Sequence, residues 1–434
     1  MRFFLQRDVS LSEELQPLAL TSLRNPRGLT HGLFRFPGRF HPPLVTYLIG
    51  LHPNAKTIGD PMVGCGTVAV EAVSAGKSGF YSDIDPLCCL LTKAKTRTTN
   101  PDRLMKEVDE VLKKCKSFAK PSTTKTQAQR CLLDLEKSTR FRAPPNVFHW
   151  FDPYVVVNLC LLLERIAEIE RNSRQRDALM AIFASVIRRV SRADPRTSSG
   201  LEVTRIRRKE LLDGLRFDVA AEFRRKAMLM ARGYRELLAR QPLGNVTVVK
   251  GDARHWANLC ARKGIWPDLV ITSPCYLSAI EYWRRHRLEY CWLGLVDPEK
   301  LRELRLRFLG MSNENPNIEA LPIYVRRLHS KLVHLGHLRE AAALAHYFND
   351  SASWLQEIAK VLERNQGTAY VVVGCSSTRG QMVNTPLALS EIAHDIGLSA
   401  RVFLQYRIVN CYMQYPTNGM RITTETVLRL ISSA

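Results

Sequence analysis

The spacing of apolar residues changes character twice along this chain. Leu44 to Leu51 follows two prolines and predicts a helix, and strand-like Thr57-Ile58 then enters a glycine-bearing loop. Val68 to Ala75 carries apolar residues at helical spacing and stops at Gly76. Gly79 to Pro86 predicts a second strand that ends in Asp83 and Asp85, and Leu87 to Lys95 predicts the next helix. Strand, glycine loop, helix and strand in that order open a doubly wound α/β sheet. The alternation then stops. Leu104 to Phe118, Val155 to Glu170, Asp177 to Val190 and Phe217 to Leu238 all read as helices, with joints at Pro121 to Thr126 and Pro195 to Ser199. Strand signals return at Val246 to Asp252 and at Asp268 to Ile271. Trp354 to Leu362 predicts an amphipathic helix, Ala369 to Gly374 a buried central strand, Leu387 to Ile396 a helix, and 401–409 and 425–431 two closing strands.

This pattern divides the chain into five stretches. Residues 1–99 form the first part of the α/β core, with a preface rich in Arg, Phe and Pro. Residues 100–243 form a helical insert, and 244–295 return to the core. Residues 296–345 form a second, largely helical insert, and 346–434 complete the core. No internal repeat is visible.

Charge narrows the function classes. The chain has 434 residues, with 63 Lys and Arg against 41 Asp and Glu, a formal net charge of +22. Such a surplus favours a polyanionic partner, since Lys and Arg release counterions on meeting phosphates. The surplus is concentrated: Arg171 to Arg240 holds 18 basic and 8 acidic residues, with Arg205-Ile206-Arg207-Arg208-Lys209 as the densest cluster. A second basic run, Arg284-Arg285-His286-Arg287, lies in the aromatic string from Ala279 to Leu288. These cations are candidates for phosphate contact, which sets register rather than reading sequence. The alternative is a solvated helix face. His149-Trp150-Phe151 either stacks on bases or belongs to the core. The 11 cysteines are scattered, with no CxxC pair and no cluster at zinc spacing, so reduced thiols and no metal are expected. Met1 to Asp8 is too short an apolar stretch for a signal peptide, and no stretch approaches the roughly 18 apolar residues of a membrane span. The expectation is a cytoplasmic protein with no membrane partner.

Two strings carry chemistry. The first, Asp60-Pro61-Met62-Val63-Gly64-Cys65-Gly66-Thr67, follows a strand and starts a helix. Glycines there let the backbone approach a ligand, and the helix start offers free N–H groups. Asp83, or failing it Asp85, stands where a carboxylate accepts from both hydroxyls of a ribose. The loop lacks Gly-Lys-Ser/Thr, which argues against a P-loop hydrolase, and lacks Gly-x-Gly-x-x-Gly, which argues against hydride transfer. The second string, Thr272-Ser273-Pro274-Cys275-Tyr276, also follows an apolar strand.

Together the two strings resemble the cofactor and catalytic loops of S-adenosylmethionine-dependent DNA amino-methyltransferases. The first is similar to their Asp-Pro-Phe-x-Gly-Ser-Gly-Thr loop and the second to their Ser-Pro-Pro-Tyr motif. Phe40-His41-Pro42 matches a further cofactor element, Gly251-Asp252-Ala253 the acid near the adenine ring, and Tyr347 to Asp350 and Val371 to Ser376 later motifs. The resemblance covers 36–99 and 245–431 and leaves the helical insert unexplained. It implies a Rossmann-like class I methyltransferase sheet with an inserted helical subdomain. The cofactor would be S-adenosyl-L-methionine, held by Phe40, His41, Asp60, Pro61, Met62, Gly64, Gly66, Thr67, Asp83 or Asp85, Asp252 and Ala253. The partner would be double-stranded DNA, with Ser273, Pro274, Cys275 and Tyr276 in catalysis and Arg205, Arg207, Arg208, Lys209, Arg284, Arg285 and Arg287 on the backbone. It also implies a modification or defence system with a cognate restriction or defence protein.

Within that family Ser in the first position ranks cytosine N4 above adenine N6 as the target. Acceptors such as the Ser273 hydroxyl and the Pro274 carbonyl bind the amine hydrogens, and Tyr276 stacks on a flipped base. Cys275 departs from the pattern by replacing the second Pro. Pro-Cys at this place resembles the loop of cytosine-C5 methyltransferases, whose thiolate adds to the ring. Cys275 is therefore either a nucleophile, with Glu281 or another acid at the ring nitrogen, or a small packing residue. An RNA methyltransferase and a non-catalytic DNA-binding protein on a methyltransferase core also remain open.

Overall fold

The computed structural model describes residues 28–115, 118–170, 173–197, 200–277, 280–407 and 424–432. The readings made on Met1 to Asp8, Ser198-Ser199, Ala279 and 408–409 fall outside these residues.

Nine strands are described: β1 (Thr57–Asp60), β2 (Ser78–Asp83), β3 (Val246–Lys250), β4 (Leu269–Thr272), β5 (Thr368–Gly374), β6 (Ser376–Thr378), β7 (Gln381–Val383), β8 (Leu398–Arg407) and β9 (Thr424–Ser432). Seven form one sheet in the order β3-β2-β1-β4-β5-β9-β8, and β6 and β7 form a small ribbon. The five strands from β3 to β5 are parallel, and β9 enters antiparallel between β5 and β8. This is the α/β, Rossmann-like sheet that the sequence rhythm predicts. The parallel strands read as unbroken apolar runs because helices cover both faces, so all of Leu269–Thr272 is buried. Strand order reverses beside β1, which opens a crevice at the carboxyl ends of β1 and β4.

The helical stretch holds Pro101–Lys114, Lys125–Ser138, Pro153–Ala167, Arg174–Ile187, Arg205–Leu212 and Val219–Leu238. It is not a separate body. Leu87 and Leu91 of the core helix Pro86–Thr96 share one apolar cluster with Val155, Phe183, Phe223 and Trp292. Phe151 is fully buried in that cluster with its ring 5.7 Å from Trp292, which makes it a core residue rather than a base-stacking one. The helix read at Trp354 to Leu362 is the second half of one 28-residue helix, Leu338–Asn365, so the boundary drawn at 345/346 falls inside a single element. Among the described residues no helix is long and apolar enough to cross a membrane.

Candidate active site

A cavity opens at the carboxyl ends of β1, β2 and β4, and both motif strings line it. Its wall includes Phe40, Asp60 to Cys65, Thr67, Asp83, Asp252, Ala253 and all of Ser273 to Tyr276. Two loops from distant parts of the chain thus share one site. Gly64 lies at φ +52° and Gly66 at φ +80°, in the left-handed region that disfavours side chains. Gly66 does not itself line the cavity. A Cβ there would stand 2.7 Å from Thr92 Oγ1, so glycine lets the turn pass the next helix. Gly64 N donates to Asp83 Oδ2 at 2.8 Å, which anchors the loop to β2. Buried Lys95 donates to the Cys65 carbonyl from below.

Asp83 ends β2 at the cavity. Burial, reinforced by the neighbouring Asp85 carboxylate, pushes its acid up to about 7. The Asp83 carboxylate accepts from Gly64 N at 2.8 Å, from Asp85 N at 2.9 Å and from the Ile84 backbone, which holds it at the mouth of the cavity. Asp85, the alternative acceptor, also lines the cavity, but its oxygens are already engaged. It is buried, caps its own helix by accepting from Leu87 N at 2.8 Å, and its other oxygen lies 2.8 Å from His286 Nδ1. His41 is not in the wall. It starts the Pro42–Gly50 helix, and burial beside Arg39 pushes its imidazole down to about 4, so it is neutral. Asp252 lines the cavity but is held by Arg254, which donates to both its oxygens at 3.0 and 2.7 Å and to Asp350 at 2.6 Å. Burial opposes its ionisation, yet this pairing outweighs it and holds the acid below the usual range.

Three elements fix the Ser273-Pro274-Cys275-Tyr276 loop. The Ser273 hydroxyl donates to the Val372 carbonyl of β5 at 3.0 Å, Tyr347 donates to the Cys275 carbonyl at 3.1 Å, and Tyr276 donates to Glu425 of β9 at 2.6 Å. Ser273 directs its proton to Val372 and also lies within hydrogen-bonding reach of the Tyr276 phenol, and its oxygen keeps capacity to accept from a ligand. Among the described residues no donor reaches the Pro274 carbonyl. Burial pushes the Cys275 thiol up to about 12, and the nearby Asp83 adds to the effect. A thiolate is strongly disfavoured there. Glu281 is not in the cavity wall and pairs with Arg284 at 3.5 Å.

The basic residues sort into two groups. Arg207 and Arg285 are buried, which corrects their reading as phosphate contacts. Arg207 donates to the Ser191 carbonyl at 2.9 Å and pairs with Glu210 at 3.2 Å, and Arg285 donates to the Thr197 carbonyl at 2.8 Å. Arg205, Arg208 and Lys209 are exposed on the Arg205–Leu212 helix, and among the described residues no acid pairs with them. Arg284 is exposed and Arg287 half-buried. On the Val219–Leu238 helix, by contrast, Arg224, Arg225, Arg232 and Arg235 each face an acid. Asp85, Cys88 and His286 bring three potential metal ligands within 4.8 Å, a buried trio that sequence spacing did not reveal.

No family model matches the chain. The chain is similar to Type II methyltransferases. It is 24% identical over 415 residues to Type II methyltransferase M.MvaI of Kocuria varians, covering 90% of this chain and 84% of that protein. It is 34% identical over 91 residues to Type II methyltransferase M.MjaII of Methanocaldococcus jannaschii, covering 21% of this chain and 17% of that protein. Among solved structures, the rRNA methyltransferase aviRa of Streptomyces viridochromogenes aligns over 98% of this chain and 94% of its own, at 10% identity and a TM-score of 0.31.

Proposed function

We propose that this protein is an S-adenosylmethionine-dependent DNA methyltransferase that methylates cytosine at N4 on a flipped base. One observation carries the reading: the glycine loop and the Ser273-Pro274 acceptors open into the same cavity. Similarity over most of a Type II methyltransferase's length supports the class.

The residues present fit the cofactor. Gly64 lines the cavity on a left-handed backbone that disfavours any side chain, with Phe36 beside it, and the Asp83 carboxylate at the end of β2 faces the same space as an acceptor for a ribose hydroxyl. Bound there, S-adenosylmethionine supplies an electrophilic methyl group on a sulfonium. The chain does the rest. The Ser273 oxygen and the Pro274 carbonyl accept the two hydrogens of the exocyclic amine, which concentrates electron density on its nitrogen. Methyl transfer would form the N–C bond as the sulfonium's C–S bond breaks and S-adenosylhomocysteine leaves; the two acceptors would hold the amine hydrogens while the nitrogen gains positive charge, and one of those protons would then pass to solvent. Tyr276 lines the cavity as a stacking face for the base. Arg205, Arg208, Lys209 and Arg284 supply exposed charge for the phosphates.

The high thiol pKa of Cys275 favours the amine over the C5 reading, in which the thiolate must form first. The test is Ser273→Ala. Methyl transfer to DNA is expected to fall about 100-fold, as for loss of one oriented group at the reacting atom, with cofactor affinity unchanged. Undiminished transfer would remove Ser273 from the chemistry.

A further inference from the structure

Glu425 lies outside both motif strings, yet it touches the catalytic loop. It lies near the start of β9, opposite Gly374 at the end of β5 and opposite Tyr406 of β8. Its Oε1 accepts from the Tyr276 hydroxyl at 2.6 Å, and its Oε2 accepts from the Tyr406 hydroxyl. One carboxylate therefore clasps two phenols, one from the catalytic loop and one from the sheet edge. Tyr276 is also a wall residue of the cavity and packs on the apolar cluster around Tyr347 and Phe348.

The geometry points to Glu425 as the residue that positions the Tyr276 ring for a planar heterocyclic base. This rests on the proposed function, since it names what the ring is held for. A phenol on a loop turns about two side-chain bonds, and stacking is productive at one orientation. Anchoring the hydroxyl fixes rotation about Cα–Cβ, and because a phenol O–H lies in the plane of its ring, the direction of the bond to Glu425 also restrains rotation about Cβ–Cγ, so part of the ordering cost is met in folding rather than in binding. Burial and the Glu425 carboxylate both keep the Tyr276 phenol protonated, so it remains a donor across the working pH range. Tyr406 is held protonated by the same two causes. It fills the second oxygen and keeps the carboxylate from swinging toward the cavity. Glu425 touches no reacting atom in this scheme and acts only through Tyr276.

The experiment uses the full chain with Glu425→Ala, Glu425→Gln, Tyr276→Phe and the Glu425→Ala/Tyr276→Phe pair. Two readouts are taken. The first is turnover of tritiated S-adenosylmethionine on DNA that the wild type methylates. The second is the 19F resonance of 3-fluorotyrosine at residue 276, assigned by its loss in Tyr276→Phe. Glu425→Ala is expected to lower kcat by about 10-fold or more with the KM for S-adenosylmethionine unchanged. Tyr276→Phe should have a similar effect, and the double variant no more than either. Glu425→Gln should recover most activity, because its amide can accept from one phenol and donate to the other. The 276 resonance should broaden or shift in Glu425→Ala and return in Glu425→Gln. A Glu425→Ala enzyme with wild-type kcat and an unaltered resonance would overturn the assignment. A wild type that methylates no DNA would overturn the proposed function instead, and the resonance would still decide the clasp.

Discussion

The Thr272 hydroxyl donates to the Asp60 carboxylate across 2.7 Å, joining the last residue of β4 to the last residue of β1. The two motif loops leave their strands at this bond, one toward the cofactor cradle and one toward the acceptors. Asp60 is buried, and Met62 N donates to the same oxygen at 3.0 Å. Burial, with a smaller contribution from Asp83, pushes the Asp60 acid up to about 8.

That shift sets a pH dependence. An acid whose folded-state pKa lies above its ordinary value near 3.8 favours the folded state most when protonated. Its contribution is full below about pH 4 and is lost as pH rises through about 8. Asp83, pushed up to about 7, adds a slope of the same sign. Melting temperature followed from about pH 5 to about pH 9 should decline more steeply in the wild type than in Asp60→Asn, which keeps an acceptor for Thr272. Equal slopes would show that Asp60 ionises normally.

Gly66→Ala should weaken the cofactor cradle without touching the cavity wall. The added methyl meets Thr92 and sits on a left-handed backbone, a strain of about 1–3 kcal/mol. Calorimetric affinity for S-adenosylmethionine should fall about 10-fold or more. Unchanged affinity would mean that the loop tolerates a shift at Thr92.

The basic helix gives a pair of opposite outcomes. Substituting Arg205, Arg208 and Lys209 together by Ala should leave melting unchanged and flatten the salt dependence of DNA binding. Each phosphate that no longer meets a cation lowers the log–log slope by roughly 0.9 for duplex DNA. Arg207→Ala should do the reverse, lowering stability by about 1–3 kcal/mol by removing its bonds to Ser191 and Glu210, because the group is buried. A wild-type salt slope in the triple variant would move the DNA-binding surface elsewhere.

Much of the sheet could be read from the chain because buried parallel strands are continuous apolar runs. Leu269 to Thr272 and Ala369 to Gly374 stand out on that ground alone. The helices Lys125–Ser138 and Arg205–Leu212 were harder, since both are mostly polar and exposed. Their starts were nevertheless marked: Thr124 and Gln127 form a capping box, and the Thr204 side chain accepts from Arg207 N. Within the site, the loops were visible as strings but their wiring was not. That Asp85 caps a helix and faces His286, or that Glu425 clasps Tyr276, depends on contacts across 201 and 149 positions. Likewise the burial of Arg207 and Arg285 follows from the carbonyls of Ser191 and Thr197, which sequence clustering cannot show.

The most direct test is nucleoside mass spectrometry on DNA incubated with S-adenosylmethionine and either the wild type or Cys275→Ala. The account predicts N4-methylcytosine in both samples, with Cys275 a packing residue. 5-Methylcytosine from the wild type that disappears with Cys275→Ala would contradict it and make the thiol the nucleophile.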